Sequence, residues 1–305
     1  MVKSVNNPTA RPTGARSHRP APIVSIIIPV QNEARTIAQT LFALKPFRQR
    51  GVEIVVVDGG SRDETPLLAR PLADQVIQVK GSRAHRMNEG AKAANGFIFL
   101  FLRSDTKLPD DADQQVMYGR ARDTSVWGRF DLRYAGRYFM LPLFARLMNW
   151  YSAARGVATG DQAMFVQREA FFRVAGFKDI PFLEDVEISK RLKDISPPIV
   201  VKSRVTASGR HFDEDGFWRT VWTMIKVRTR YRFGADPAML AERYGRKPAG
   251  IPPSPPIPPK IPRAPAPQAP PGPRASAPPP PVAPPSAPPA QSAYRGPDRG
   301  GQRRR

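Results

Sequence analysis

The chain has 305 residues with no cysteine and 36 prolines, and its 48 Lys and Arg against 26 Asp and Glu give a formal net charge of +22. Without cysteine, a disulfide scaffold, a thiolate zinc site, an iron–sulfur cluster and a thiol nucleophile are all excluded. The longest apolar runs, residues 23–30 and 97–102, are far shorter than the ~18 residues of a membrane-spanning helix, and no cleavable apolar leader is seen. We therefore expect a cytoplasmic protein, with contact at the inner membrane face left open.

The positive charge is concentrated at the two ends of the sequence. Residues 1–22 carry a net +4, and residues 246–305 carry +9 together with a high density of proline. Dense proline removes backbone donors and blocks helices and central strands, so both segments are predicted to be disordered. One folded domain is predicted between them, over residues 23–245.

Within residues 23–245, short β-branched runs alternate with segments of helical periodicity. Strands are predicted at residues 23–30, 52–57, 75–79, 97–102, 126–132, 163–166 and 199–201. Helices are predicted at residues 34–45, 64–69, 83–94, 141–152, 186–193 and 217–233. The βαβαβαβ order of the first half, with continuously apolar strands, predicts an α/β fold with a mostly parallel sheet flanked by helices and a Rossmann-like nucleotide-binding half.

Two carboxylates follow strands whose carboxyl ends should meet at one edge of the sheet. Asp58 follows the second predicted strand, and Asp105 follows the fourth. Either aspartate alone could be an ordinary turn residue, but ligands of such sheets bind at this edge. Gly59 lets the backbone next to Asp58 approach a ligand closely. No Walker A loop or G-x-G-x-x-G fingerprint is present, which argues against P-loop hydrolysis and dinucleotide redox chemistry.

A cluster of acids opens the helix predicted over residues 186–193. Glu184, Asp185 and Glu187 lie where a helix N-terminus attracts carboxylates, and this capping role accounts for one or two of them. Crowding of like charges also raises the proton affinity of one member, which suits a general base. Asp185 is the candidate base, with Glu184 beside it.

Six short motifs follow one another in a characteristic order. They are residues 25–34 (SIIIPVQNEA), 55–65 (VVVDGGSRDET), 81–96, 104–106 (SDT), 160–162 (GDQ) and 184–185 (ED). In this order and spacing, residues 23–245 resemble the family 2 glycosyltransferases, and the match looks closest to the bacterial branch of arsenosugar-biosynthesis-type glycosyltransferases. The resemblance implies a GT-A fold and the transfer of a sugar from a nucleotide-sugar donor to an acceptor hydroxyl.

The resemblance also implies roles for individual residues. Asp185, with Glu184, would be the catalytic base of an inverting transfer, and Asp161 and Gln162 would face the acceptor. Asp105 would ligate a divalent cation, Mg²⁺ or Mn²⁺, on the donor diphosphate. The donor-binding residues would be Pro29, Asn32, Glu33, Asp58, Gly59, Arg83, Asn88, Ser104 and Asp105.

The sequence departs from the family at its acidic metal-binding element. Arg103-Ser104-Asp105 has one carboxylate where many relatives have two or three. A hard cation keeps water and phosphate oxygens as ligands, so one protein carboxylate can suffice.

Two other functions and one partner stay open at this point. The same sheet and carboxylates could serve a nucleotidyltransferase acting on a sugar phosphate, although its Gly-rich loop is missing after the first strand. The chain could also be a non-enzymatic adaptor or nucleic-acid binder that uses its basic ends, in which case binding would be non-specific and salt-sensitive; no specific nucleic-acid partner is expected. The basic, Trp-containing helix at residues 217–233 either packs on the domain or lies in a bilayer interface, which would favour a lipophilic acceptor.

Overall fold

The computed structural model describes residues 21–122 and 124–244. Apart from residues 21 and 22, the terminal segments predicted to be disordered lie outside this part of the chain. The strands are β1 (Val24–Val30), β2 (Glu53–Asp58), β3 (Gln75–Gln78), β4 (Ile98–Phe101), β5 (Thr106–Lys107), β6 (Trp127–Ala135), β7 (Phe165–Gln167) and β8 (Ile199–Ser208). The helices are α1 (Ala34–Ala43), α2 (Lys45–Gln49), α3 (Thr65–Ala69), α4 (Arg83–Ala93), α5 (Ala112–Arg122), α6 (Leu141–Arg155), α7 (Arg168–Arg173), α8 (Glu184–Lys193), α9 (Arg210–Asp215), α10 (Phe217–Arg232) and α11 (Pro237–Tyr244).

The strands form one sheet in the order β3-β2-β1-β4-β7-β6-β8-β5. The first four strands are parallel, so that Ile27 of β1 lies opposite Val55 of β2 and Phe101 of β4. Beyond β4 the sheet is mixed, because β7 is antiparallel to both β4 and β6, and β5 is antiparallel to β8. The predicted α/β sheet flanked by helices is confirmed, with the parallel part confined mainly to the first half.

The central strands are buried on both faces because most of their residues are apolar, and many of those in β1 and β2 are β-branched. Alternate residues of a strand point to opposite faces. Ile26 and Ile28 therefore pack on one side with Ile37 of α1, while Ile27 packs on the other side with Met87 of α4. This double coverage fixes the register of β1 and leaves the ends of the strands as the places where polar groups gather.

Gly90 brings α4 unusually close to the sheet. A Cβ atom at this position would lie 2.5 Å from Cγ2 of Ile27 and 2.8 Å from Cγ2 of Val57. The N-terminus of α4 is capped by Ser82, whose hydroxyl accepts the backbone N–H of His85 at 3.0 Å. The close approach places the first turn of α4 beside the carboxyl ends of β1 and β2.

The structure extends the sequence prediction most in the second half of the chain. The strand predicted at residues 199–201 continues to Ser208 and pairs with β6 along its length, with a bulge between Phe130 and Asp131. Its later residues alternate between buried and more exposed positions, so no continuous apolar run marks them. The sequence analysis also missed β5, α5, α7, α9 and α11, which lack a strong periodic signal. Among the described residues, no helix is long and apolar enough to cross a membrane.

Candidate active site

The loops after β1 and β2 are joined at the carboxyl edge of the sheet. Val30 and Asp58 are opposite each other in the ladder, and the N–H of Gly59 donates to the carbonyl of Val30 at 2.8 Å. The Asp58 carboxylate is 1% exposed and accepts the backbone N–H groups of Gly60 and Ser61, each at 3.1 Å. Asp58 therefore shapes the Gly-Gly turn, and its contact with a nucleoside stays a prediction.

The turn after β1 is held by side chains of the turn after β2. Asn32 has a left-handed backbone with φ of 56°, and its side-chain oxygen accepts the N–H of Arg62 at 2.9 Å. The N–H of Glu33 donates to the hydroxyl of Thr65 at 2.8 Å. A non-glycine residue in this conformation is strained and persists only where its surroundings fix it. Pro29 lies half-buried within β1 just before this pair of loops.

Arg86 of α4 contacts the same edge of the sheet, at the end of β1. Its Nη1 donates to the carbonyl of Val30 at 2.6 Å. Gly59 is needed for this contact, because a Cβ there would lie 2.5 Å from the same Nη1 atom. Burial lowers the pKa of Arg86, as does the neighbouring Arg83, while Asp58 and Glu33 act in the opposite direction.

Arg103 lies between two carboxylates at the end of β4. Its Nε is 3.0 Å from Oδ1 of Asp105 and 3.3 Å from Oδ1 of Asp161, and its Nη2 is 3.2 Å from Oδ2 of Asp105. The hydroxyl of Tyr134 donates to the other oxygen of Asp161 at 3.0 Å. Burial opposes the charge of Arg103, but Asp161 and Asp105 together hold its pKa above the usual range.

The carboxylate of Asp161, which contacts Arg103, also affects the pKa of the buried Tyr134. Burial, followed by the charge of Asp161, raises the pKa of Tyr134 well above its ordinary value. Tyr134 is therefore a neutral donor at all ordinary pH values, and it orients the Asp161 carboxylate toward Arg103.

Asp185 lies in the first turn of α8. Its carboxylate accepts the backbone N–H of Gly160 and, at 2.8 Å, that of Val186. Burial raises its pKa to about 6, with a further rise from Glu184, while Arg83 and Arg228 oppose the shift. Glu184 is 2.9 Å from Nη1 of Arg83. A buried carboxylate with a raised proton affinity is suited to accept a proton near neutral pH.

A small cavity of about 10 Å³, enough for roughly one water molecule, lies next to Asp185. Its polar lining comes from Arg83, Thr159, Gly160 and Asp185, and the rest of its wall is apolar. Gly160 leaves room for Arg83, since a Cβ there would lie 2.8 Å from Nη1 of that arginine. The cavity therefore places one arginine and one basic carboxylate in the same space.

The predicted acids reach one edge of the sheet but do not pair with one another. Asp161 shares Arg103 with Asp105, and the residue before it, Gly160, donates to Asp185. Glu33 acts electrostatically on both Arg86 and Arg103, which connects the turns after β1 and β2 to this group. Arginines, rather than direct contacts between acids, hold the site together.

Three predicted site residues have hydrogen-bond partners within the protein. Gln162 is fully buried, and its side chain contacts Thr159 and Asn149, so its place at an acceptor stays a prediction that this burial does not favour. The Asn88 amide exchanges hydrogen bonds of 2.8 and 2.9 Å with the backbone of Phe177, so its direct role is to hold the segment before α8. Ser104 is buried, with its carbonyl accepting the hydroxyl of Thr40.

The residues at Asp105 do not fit a resident divalent cation as they are arranged. Both oxygens of Asp105 face Arg103, so a cation bound there would lie against a guanidinium group. Among residues 21–122 and 124–244, no group of three or more His, Cys, Asp or Glu side chains could hold a metal ion. The metal site implied by the resemblance stays a prediction that this geometry does not favour.

The sequence analysis missed Arg103, Tyr134 and Arg228 as members of the site. Arg103 stands two residues before Asp105, so its charge was the one available signal. Tyr134 comes from β6 and Arg228 from α10, and neither lies in a motif. Only the pairing of distant segments brings them to Asp161 and Asp185.

Comparisons with known proteins agree with this architecture. The family model described as Glycosyl transferase family 2 matches residues 25–180. A protein of Rickettsia felis named "Uncharacterized glycosyltransferase" is 26% identical over 206 residues, which is 60% of this chain and 34% of that protein. The beta-monoglucosyldiacylglycerol synthase of Synechocystis sp. is 24% identical over 203 residues, 59% of this chain and 42% of that protein. The match thus spans only about a third to two fifths of the length of these relatives.

The fold is also found among solved structures. TarS 1–349 of S. aureus is 20% identical, has a TM-score of 0.51 and is matched over 61% of this chain and 60% of that chain. The same protein in complex with UDP-GlcNAc has a TM-score of 0.50, with 58% of that chain covered. This likeness confirms the GT-A-like fold.

Proposed function

The chain belongs to glycosyl transferase family 2, and on that premise we propose that it moves a sugar from a nucleotide-sugar donor to an acceptor hydroxyl with inversion at the anomeric carbon. The observation that carries the proposal is the Asp185 carboxylate, whose pKa is raised to about 6 and which lines a cavity together with Arg83. The nucleotidyltransferase and adaptor alternatives lose their support with family membership. The arsenosugar branch stays a prediction.

Asp185 is the general base of the proposed reaction. The acceptor hydroxyl must lose a proton as its oxygen attacks the anomeric carbon, and the carboxylate receives that proton. Its raised pKa makes it a stronger base than an ordinary aspartate while leaving it ionised at neutral pH. A base on the face opposite the leaving group gives inversion. Glu184 supports the base by raising its proton affinity.

The leaving nucleoside diphosphate gains negative charge that the site must balance. Arg83 and Arg103 are partly exposed, at 31% and 28% of their side chains, and they flank the edge where the donor would lie. Fixed cations that need no reorganisation are effective at this task. We assign the balancing of this charge to Arg83 and Arg103 rather than to a divalent cation, because Asp105 already faces Arg103.

The donor would lie over the turns after β1 and β2. Pro29, Asn32, Glu33, Asp58 and Gly59 form this surface, which the mutual hydrogen bonds of the two turns hold in shape. Pre-formed loops bind a ligand with less loss of conformational entropy than flexible ones. Asp161, held by Tyr134 and Arg103, would face the acceptor beside Asp185.

Replacing Asp185 tests the proposed base. The donor is first found by a thermal-shift screen of nucleotide sugars, since a ligand at a hundred times its Kd stabilises by about 2.7 kcal/mol. Asp185→Asn should then lower turnover by roughly 10²–10⁴-fold while the calorimetric donor affinity changes little. Asp194→Asn, the same change at the exposed far end of α8, is the matched control. An equal loss of donor affinity and turnover in Asp185→Asn would mark Asp185 as structural.

Metal dependence is tested separately. We expect turnover to survive EDTA, because arginines supply the positive charge. Turnover that disappears with EDTA and returns with Mn²⁺ or Mg²⁺ would instead place a cation at Asp105. Arg103→Met in the same assay decides whether the guanidinium is required.

A further inference from the structure

Seven of the fifteen large exposed apolar side chains among the described residues lie on, or just before, two helices that pack against each other. On and just before α6 they are Phe139, Leu143, Leu147 and Trp150, and on α10 they are Trp218, Trp222 and Ile225. We call these seven residues the apolar face. Trp150, Trp218 and Trp222 are exposed by 68%, 62% and 58%, values far above those of core residues. Single exposed apolar residues are normal, but a clustered set marks an interaction surface.

The apolar face is not needed to hold the two helices on the domain. The inward side of α10 is formed by Phe217, Val221 and Val227, all buried. Phe217 packs against Phe144 of α6 with ring centroids 6.0 Å apart. The inner side of α10 is therefore packed by these residues, and the ring contact of Trp218 with its neighbour Phe217 stays within α10.

Each stripe has the spacing of one side of a helix. Leu143, Leu147 and Trp150 are spaced i, i+4, i+7 on α6, and Trp218, Trp222 and Ile225 are spaced in the same way on α10. Residues at this spacing share one side of an α-helix. The two stripes therefore present continuous apolar lines on neighbouring helices.

The charged residues on the two helices that carry the apolar face have one sign, although Glu214 and Asp215 at the end of α9 are exposed just before α10. Helices α6 and α10 contain seven Lys and Arg residues and no Asp or Glu. Arg146, Arg155, Arg219, Lys226 and Arg230 are exposed. Amphipathic helices with basic and tryptophan residues lie in the interface of bilayers that contain anionic lipids, where apolar burial and charge attraction add.

We propose that the apolar face docks this protein on an anionic lipid bilayer. Tryptophan side chains insert at the level of the headgroups, and the surrounding Lys and Arg side chains contact lipid phosphates. The protein stays on the surface of the bilayer and does not cross it.

Docking through this face would place a lipid-borne acceptor next to the base. Arg228 of α10 contacts Sδ of Met148 on α6 at 3.0 Å and lies over the ring of Tyr151 at 5.6 Å. The same arginine acts electrostatically on Asp185. The helix that carries three residues of the apolar face thus also carries a charge that acts on the base. This consequence rests on the proposed function, whereas the docking itself does not.

Vesicle binding by the full-length chain tests the proposal without any turnover assay. We expect sedimentation with vesicles of phosphatidylcholine and phosphatidylglycerol, and much weaker sedimentation with phosphatidylcholine alone. Three of the four tryptophans belong to the apolar face, and the fourth, Trp127, is buried in the core. Binding should therefore shift the intrinsic tryptophan emission to shorter wavelength.

Substitutions that leave every charge unchanged can distinguish binding through the apolar face from binding through the basic ends of the chain. Trp150→Ala, Trp218→Ala and Trp222→Ala combined should weaken vesicle binding at least about tenfold, with no emission shift from the remaining Trp127. Phe42→Ala combined with Leu67→Ala removes exposed apolar side chains elsewhere and should bind as the wild type does. Arg219→Gln and Lys226→Gln should each weaken binding about fivefold. Circular dichroism and thermal unfolding confirm that each variant is folded.

Three results would overturn the proposal. One is a chain that binds neither kind of vesicle. Another is a triple tryptophan variant that binds vesicles as well as the wild type, which would assign the binding to charge elsewhere. The third is a soluble dimer, measured by light scattering, that the triple variant breaks; the face would then bind a second copy of the chain. Because vesicle binding is independent of Asp185→Asn, the docking and the proposed function can fail separately.

Discussion

The two ends of the central sheet each bury a carboxylate, but they surround it with different groups. At the amino end, Glu53 accepts hydrogen bonds from Ser25, Gln75 and Asn95, all of them neutral. At the carboxyl end, Asp105 and Asp161 share one arginine, and Asp185 lines a cavity. Both ends satisfy their polar groups, as buried groups require.

This difference indicates that the polar groups at the amino end of the sheet serve stability and those at the carboxyl end serve the reaction. Neutral donors fix the buried Glu53 in a hydrogen-bond network that ties β1, β2 and the end of α4 together. Arginines at the other end balance the acids while remaining partly exposed to an incoming anion. Substitutions at the two ends should therefore affect different measurements.

Of the substitutions that compare the two ends, the largest effect is expected from removing a cation at the carboxyl end. Arg83→Gln deletes the positive charge that lines the cavity with Asp185. We expect turnover to fall by about 10²–10³-fold, the usual loss of one group that stabilises a transition-state charge. Steady-state kinetics measures it, and Arg173→Gln, at the end of α7, is the control. Turnover within twofold of the wild type would remove Arg83 from the mechanism.

The reverse pattern is expected at the amino end. Glu53→Ala leaves the side chains of Ser25, Gln75 and Asn95 without their acceptor. The free energy of unfolding should fall by about 1–3 kcal/mol or more, measured by urea denaturation. Turnover per folded molecule should be unchanged. A loss of turnover at intact stability would contradict the separation of the two ends.

The pH dependence of activity should report the Asp185 carboxylate. As the pH rises, kcat/KM should increase with an apparent pKa near 6, because the base must be ionised. Glu184→Gln should move this limb to lower pH, since Glu184 raises the pKa while Arg83 and Arg228 already lower it. Tyr231 of α10, whose own pKa is raised by burial first and in part by Asp185, adds no charge in this range. An unchanged limb in Glu184→Gln would assign the titration to another group.

The same shift predicts a dependence of stability on pH. The pKa of Asp185 is raised from 3.8 to about 6 on folding, so the folded state binds the proton more tightly than the unfolded state. Stability contributed by this group is present below pH 3.8 and is lost as the pH rises to about 6. Asp185→Asn should remove this loss, which thermal unfolding between pH 4 and 7 can measure.

The smallest expected effect is at Tyr134. Tyr134→Phe removes one hydrogen bond to Asp161 and keeps the packing against Phe144 and Phe212. We expect about 0.5–1.5 kcal/mol of lost stability and a small change in acceptor KM. A change in donor affinity instead would place Asp161 on the donor side of the site.

The sequence by itself determined the central strands and the edge where the site forms. The β-branched runs at residues 26–28 of β1 and 54–57 of β2 indicate burial on both faces, and the motif order placed Asp58, Asp105 and Asp185 at the ends of elements. Local patterns report periodicity, capping and turn chemistry, so these features are readable from neighbouring residues.

Only the tertiary structure decided which side chains meet there. Gln162 looked available from its place in a motif, yet the packing of α6 closes over it through Asn149. Arg103 gained its role because Asp161, far along the chain, comes within 3.3 Å of it. The helices α6 and α10, which carry the two exposed apolar stripes, are neighbours because Phe144 packs against Phe217. Such contacts join segments distant in sequence, and no local pattern encodes the distance between them.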